Sequence, residues 1–195
     1  MKKILVMYCT NAGSTAEIAA KLAEELTVLG HQAASQAMDQ VNQLESYDVV
    51  LIGAPMILGW HAAAKQFIRK NQAVLSQKQV AYFCTMVSLT QDGSTQAVGL
   101  PLFIDPQLAK APVKPNRLSF RERYALAENY LRPIQKSAPK IKPMQVALFG
   151  GKLDMGKLNI FQMIFVLGII RAQPGDFRNW AAIRQWAAEV NGLIS

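Results

Sequence analysis

Residues 10–15 read Thr-Asn-Ala-Gly-Ser-Thr, three hydroxyls and a glycine set between an apolar run, Ile4–Tyr8, and a helical pattern at Ile18, Leu22, Leu26 and Leu29. Backbone N–H groups at a helix start point outward and carry the positive end of the helix dipole, so they stabilise a phosphate without any cationic side chain. The hydroxyls of Thr10, Ser14 and Thr15 add donors, and Gly13 lets the backbone approach a ligand closely, with Asn11 and Ala12 completing the turn. The pattern is neither G-x-x-x-x-G-K-[ST] nor G-x-G-x-x-G, which removes the main support for a nucleoside triphosphatase or a dinucleotide site. With no lysine and no metal ligand in the turn, a phosphate monoester suits it best. A purely structural reading stands beside this one, because Ser14 and Glu17 have the S-x-x-E spacing of a capping box.

The elements that must position this turn follow from the apolar pattern. Unbroken runs at Ile4–Tyr8, Val49–Ile52, Val80–Phe83 and Val146–Phe149 predict strands buried on both faces, as in a parallel sheet, and the weaker run Gln32–Met38 predicts an edge strand. Helical patterns alternate with them, the first stopped by Gly30 and another marked by Ala64, Phe67 and Ile68, so the class is α/β with right-handed crossovers. From Ser88 to Asn116 no periodicity survives, and seven of the nine prolines lie between Pro101 and Pro143. A long loop insert at about 89–118 is therefore expected, of the kind that is functional or mobile. A helix is expected from Phe120 to Ile134, ended by Pro133 and the later prolines, and a last one through Ile183, Trp186, Ala187 and Val190 with Asp176 as its cap. The 195 residues suffice for one core and hardly for two, which predicts a single domain over 1–195.

Charge is unevenly placed. Residues 110–142 hold nine Lys or Arg against Glu122 and Glu128, while the rest of the chain is near balance, although the whole carries +8. A local excess of this kind predicts an anionic partner or surface rather than a solubility device, and no nucleic acid is expected. Cys9 and Cys84 show no metal-ligand or Cys-x-x-Cys spacing and read as buried reduced thiols of a cytoplasmic protein, and no metal site is expected. The N-terminal apolar run ends too early for a signal peptide and reads as a strand. Leu158–Ile170, with 13 positions, is too short to span a membrane, which takes about 20. Within an apolar helical insert at about 152–174, flanked by Lys152, Lys157 and Arg171, it reads either as a core helix or as a helix lying in the plane of a membrane. His61 reads as a surface or helix-start residue, and His31, just after Gly30, as plain surface.

The strand followed by Thr10-x-x-Gly13-x-Thr15 resembles the FMN phosphate loop of the flavodoxin-like family. Gly53–Asn71, "GAPMILGWHAAAKQFIRKN", and Phe149–Ala187, with its "PGDFRNW", resemble the branch related to menaquinone-dependent protoporphyrinogen IX dehydrogenase. The resemblance implies a three-layer flavodoxin-like sandwich with a five-stranded parallel sheet, order 2-1-3-4-5, and ligand at the carboxyl ends of the strands where that order reverses. Thr10, Pro55 and Thr85 each follow an apolar run directly and match that demand independently. The order also separates Cys9 from Cys84 by a strand, beyond disulfide reach.

On this resemblance the cofactor is FMN. Its phosphate would lie in Thr10–Thr15, its ring between Pro55, Met56, Ile57, Leu58, Gly59 and Trp60 on one side and Thr85, Met86, Val87, Ser88 and Leu89 on the other. Trp60 reads either as a stacking partner for the ring or as a helix-entry residue covering the sheet. The implied activity is an FMN-dependent oxidoreductase that takes hydride from a small reduced substrate, such as a porphyrinogen, and passes electrons to a quinone-type acceptor. Peripheral contact with anionic membrane on the inner face accompanies it. The flavin carries the chemistry, so no catalytic side chain is expected. Two rivals remain: a one-electron carrier flavodoxin docking to redox proteins, and a flavin-free regulatory or membrane-adaptor domain. The insert at 89–118 is longer than the resembled dehydrogenase leads one to expect, and it falls where a substrate or acceptor would approach the flavin.

Overall fold

The computed structural model describes residues 1–57, 59–114, 116–154, 156, 160–164, 167–168 and 173–194, and for Phe161 and Gln162 the backbone alone. Five parallel strands follow one another in the sheet in the order β2 (Gln32–Ala37), β1 (Lys3–Tyr8), β3 (Val49–Pro55), β4 (Gln79–Met86) and β9 (Val146–Gly150), with β2 at one edge. β3 and β9 are buried at every position, because helices cover both faces of the sheet.

Alternation along the strands sorts their side chains into two cores. On one face Ile4, Val6, Leu51, Phe83 and Phe149 meet α1 (Ser14–Val28) and α7 (Trp180–Ile194) through Ile18, Leu22, Leu26, Ile183 and Trp186. On the other face Leu5, Met7, Val50, Ile52 and Tyr82 meet α2 (Ala62–Lys70) and α5 (Ala127–Ser137) through Ala64, Ile68, Leu131 and Ile134. Gly53 has no substitute between these layers, since a Cβ there would lie 1.9 Å from the Phe83 ring.

The sheet has seven strands rather than the five expected, because the segment read as a loop insert extends its edge. β7 (Leu100–Ile104) runs parallel to β9, and β6 (Gln96–Ala97) pairs antiparallel with β7 through a two-residue turn, Val98-Gly99, both at positive φ. Only Phe103 of β7 is buried, packed on Phe149 at 5.9 Å, so this short strand between β9 and β6 has almost no periodic signal, and its Pro101 lies outside the β7–β9 ladder, which begins at Leu102. The short strands β5 (Leu89–Thr90) and β8 (Ala109–Lys110) pair beside it.

Two helix expectations need correction. The helix expected over 120–134 is broken into α4 (Phe120–Tyr124) and α5, and α5 passes through Pro133 to Ser137. The stripe Tyr130, Leu131, Ile134 and Ala138 is buried against the sheet and outweighs the hydrogen bond lost at the proline. For α7 the cap is Asn179, whose Oδ1 accepts from the Ala182 N–H at 3.3 Å, while Asp176 is engaged with Arg178. β10 (Lys152–Leu153) and β11 (Gly175–Asp176) pair antiparallel and close the base of the second insert, within which α6 (Ile160–Ile164) is described. The remaining positions of the expected apolar helix over 158–170, apart from residues 167 and 168, lie outside the described residues. No helix among the described residues is long and apolar enough to cross a membrane.

Candidate functional site

The carboxyl ends of β1, β3, β4 and β9 surround one cleft of about 490 Å³ open to solvent, within the range of small-molecule sites. Its floor is the β1–α1 turn, through Thr10, Asn11, Ala12, Ser14 and Thr15. Gly13 is the N-cap of α1 at φ 92, a left-handed conformation that favours glycine, and no side chain caps the helix. The capping-box reading therefore fails: Ser14 lies inside the helix, and Glu17 reaches out to the Arg178 guanidinium instead. The N–H groups of the first turn consequently have no intrahelical partner and face the cleft with the dipole behind them. The Thr10 hydroxyl accepts from the Gly13 N–H at 2.9 Å and shapes the turn, leaving its own hydrogen to donate.

Pro55, Met56 and Ile57 form a second wall, and Thr85, Met86 and Val87 a third. The walls are tied together, with the Met56 N–H donating to the Thr85 carbonyl at 2.8 Å and the buried hydroxyls of Thr15 and Thr85 bonded at 2.9 Å. One of these hydroxyls donates to the other, so the pair keeps one hydrogen for a further acceptor. Of the remaining expected contacts, Leu58 lies outside the described residues. Gly59, Trp60, Ser88 and Leu89 are not part of the cleft lining among the described residues. The Trp60 ring is 2% exposed and packs on Tyr82 at 5.5 Å, with an Nε1–H that has no partner among the described residues. Ser88 gives its carbonyl to the Tyr130 hydroxyl at 3.2 Å, and Leu89 is buried in the β5–β8 pair.

The fourth wall, Gly151, Lys152, Leu153 and Asp154, was not anticipated. Its signal was present, since these residues follow the apolar run Val146–Phe149 just as Thr10 and Thr85 follow theirs. The wall is held from behind by the "PGDFRNW" stretch. The Phe177 N–H donates to the Gly151 carbonyl at 3.0 Å, and a Cβ on Gly150 would sit 1.9 Å from the Phe177 carbonyl oxygen. Arg178 bonds Asp176 at 2.8 and 2.6 Å, holding that carboxyl below its usual pKa, pairs with Glu17 of α1, and lies 4.8 Å from the Trp180 ring centre. Asp105, buried at the end of β7, accepts from Asn179 Nδ2 at 2.9 Å and from the Gly150 N–H at 3.4 Å, so the edge strands of the first insert brace the same wall.

Both histidines have structural partners. His61 caps α2 by accepting from the Ala63 N–H at Nδ1, which places its hydrogen on Nε2 and makes it the donor to Asn11 Oδ1 at 3.0 Å. Burial lowers its pKa and favours this neutral tautomer. His31 is not plain surface: it accepts from the Lys2 N–H at 3.2 Å and bonds Asn191 at 2.7 Å. Cys9 and Cys84 are free thiols, Cys9 pushed up to about 12 by burial and Cys84 raised by its complete burial, so both stay protonated. No group of metal-binding side chains occurs among the described residues.

A ligand cleft at the carboxyl edge, entered beside an uncapped helix and walled by four parallel strands, defines a flavodoxin-type protein. Residues 5–178 match the flavodoxin domain family, and the chain belongs to it. Membership makes FMN the cofactor, and the anion-ready turn and the size of the cleft fit it. The chain is 37% identical over 84 residues to protoporphyrinogen IX dehydrogenase [quinone] of Escherichia coli, a match covering 42% of this chain and 46% of that protein. The chain thus spans about half the length of the curated relatives it matches. Among solved structures, Flavodoxin 1 of Bacillus cereus aligns over 99% of both chains with a TM-score of 0.54 at 11% identity. Flavodoxin 2 of the same organism aligns over 98% of this chain and 99% of its own with a TM-score of 0.52 at 13% identity, and both likenesses concern the fold.

Proposed function

We propose that this flavodoxin-family redox protein is an FMN-dependent oxidoreductase that passes electrons from a small reduced substrate to a quinone-type acceptor. When bound, FMN supplies the redox chemistry. The chain's own task is to hold the phosphate on the first-turn N–H groups of α1 and the hydroxyls of Thr10, Ser14 and Thr15. Pro55, Met56 and Ile57 cover one side of the ring, and the backbone of Thr85, Met86 and Val87 supplies polar contacts on the other. Amides in that position set the potential by stabilising charge on the reduced cofactor.

The observation that carries the oxidoreductase reading is the set of exposed apolar side chains in the segment that follows the fourth wall. Lys152, Leu153 and Asp154 line the cleft, and the chain leads from them into a segment whose Ile160, Ile164 and Leu167 are 56%, 60% and 49% exposed. Exposed apolar side chains of this kind offer an apolar acceptor a surface that follows the cleft wall in the chain, and the same residues suit a helix lying in a membrane interface. The partial likeness to a quinone-named dehydrogenase supports the reading. A cytoplasmic location, peripheral on the inner face of an anionic membrane, and a porphyrinogen as substrate belong to the same proposal.

The test is anaerobic. Protein with its FMN photoreduced is mixed with a soluble menaquinone analogue, and reoxidation is followed at the flavin absorption band. Reoxidation many-fold faster than that of free reduced FMN is expected; a rate equal to free FMN would refute the acceptor assignment.

A further inference from the structure

A second cleft, sharing no lining residue with the first, lies between α2 and α5. It is lined by Ala62, Lys65, Gln66 and Arg69 from α2 and Lys136 and Ser137 from α5, around about 1010 Å³ open to solvent. Its three charged side chains are all cations, Gln66 adds an amide donor, and none of its residues is acidic.

Elsewhere several cations have acidic partners. Lys21 meets Glu24 and Glu25, Arg132 meets Glu128, and Arg178 meets Glu17 and Asp176. No ion pair of Lys65, Arg69 or Lys136 occurs among the described residues, and from residue 49 to residue 91 the sequence has no Asp or Glu at all. Placing Lys65 and Arg69 four residues apart on one helix sets like charges against each other. The helix dipole accounts for Arg69 and Lys70 in the last turn of α2, yet it gives no reason for Lys65 near the first. A bound anion would offset this repulsion.

We propose that the α2–α5 cleft binds a phosphoryl group of a small molecule. Two of its three cations are lysines, compact point charges that suit the three-dimensional array of phosphoryl oxygens, whereas a site for a planar carboxylate favours arginine forks. Gln66 supplies a neutral donor for a remaining oxygen, whereas the Ser137 hydroxyl already donates to the Pro133 carbonyl at 2.7 Å and only lines the cleft. A phosphate monoester carries about −1.5 to −2 at neutral pH, so three cations match one phosphoryl group with charge to spare or a diphosphate.

The test uses the full chain saturated with FMN, so that the first cleft is filled, and titrates it calorimetrically with pyrophosphate at low and at moderate salt. Saturable binding at one site, weakened by salt, is expected. Lys65→Gln with Lys136→Gln should weaken it at least tenfold while the flavin absorbance is unchanged. Lys110→Gln with Lys114→Gln removes the same charge outside the cleft and should leave binding within twofold. Absence of saturable binding at low salt, equal loss in both double variants, or citrate binding as tightly as pyrophosphate would overturn the proposal.

Discussion

The turns after β1 and β3 leave neighbouring parallel strands at the same edge of the sheet and enter helices on opposite faces, yet they use their helix starts in opposite ways. α1 begins at Gly13 with no side-chain cap, so its first-turn N–H groups remain available to a ligand. α2 begins at His61, whose ring already accepts from Ala63, and the aromatic residue before it is packed into the core. A helix start becomes an anion site only where the protein leaves it unsatisfied. An aromatic beside a cofactor cleft contributes to the cofactor only if packing does not claim it first.

The sharpest way to break this contrast is Trp60→Ala. Removing a fully packed indole should destabilise the fold by about 3–5 kcal/mol in urea unfolding, while the folded variant still binds one FMN with near-native affinity. A large loss of FMN affinity at full stability would put the indole back at the cofactor. Trp60→Phe should cost far less than Trp60→Ala, because the Nε1–H has no partner to lose.

Next comes Thr15→Val. The valine is nearly isosteric but strands the buried Thr85 hydroxyl, costing about 1–3 kcal/mol of stability. Because the hydroxyl pair faces the cleft, FMN affinity should fall at least tenfold as well, read by fluorescence titration. An unchanged affinity would reduce the pair to a structural brace.

Ser14→Ala separates the two roles further. Ser14 makes no cap, so stability should hold within about 0.5 kcal/mol, while FMN affinity drops by about 1 kcal/mol for one lost hydrogen bond. Loss of stability without loss of affinity would restore the capping reading.

The smallest effect concerns pH. Burial lowers the His61 pKa, so the folded state holds fewer protons there than the unfolded chain. Its contribution is complete above the unfolded value of about 6.5 and is lost as pH falls through the lower folded value. Thermal stability should therefore dip slightly between neutral pH and pH 5.5, and the dip should be smaller in His61→Gln. An equal dip in both proteins would assign it to other groups.

How much was legible in the sequence varied with local signal. The runs Ile4–Tyr8, Val49–Ile52, Val80–Phe83 and Val146–Phe149 marked the central strands because burial on both faces leaves no polar interruption. β7 escaped because a five-residue strand with one buried side chain and a proline carries no period. The fourth cleft wall was legible by the rule that located the others and was overlooked, whereas its bracing by Asp105 and Asn179 joins residues 74 positions apart and leaves no local trace.

From the sequence alone came the α/β class, the phosphate-ready turn and the local basic excess, each a matter of residue type and near-neighbour spacing. Only the tertiary structure decided that Ser14 does not cap, that Trp60 belongs to the core, that His61 reaches Asn11, and that the cations of α2 and α5 share one cleft. Those outcomes depend on which distant side chains compete for the same space and the same hydrogen bonds, and that competition exists only once the strands are in register.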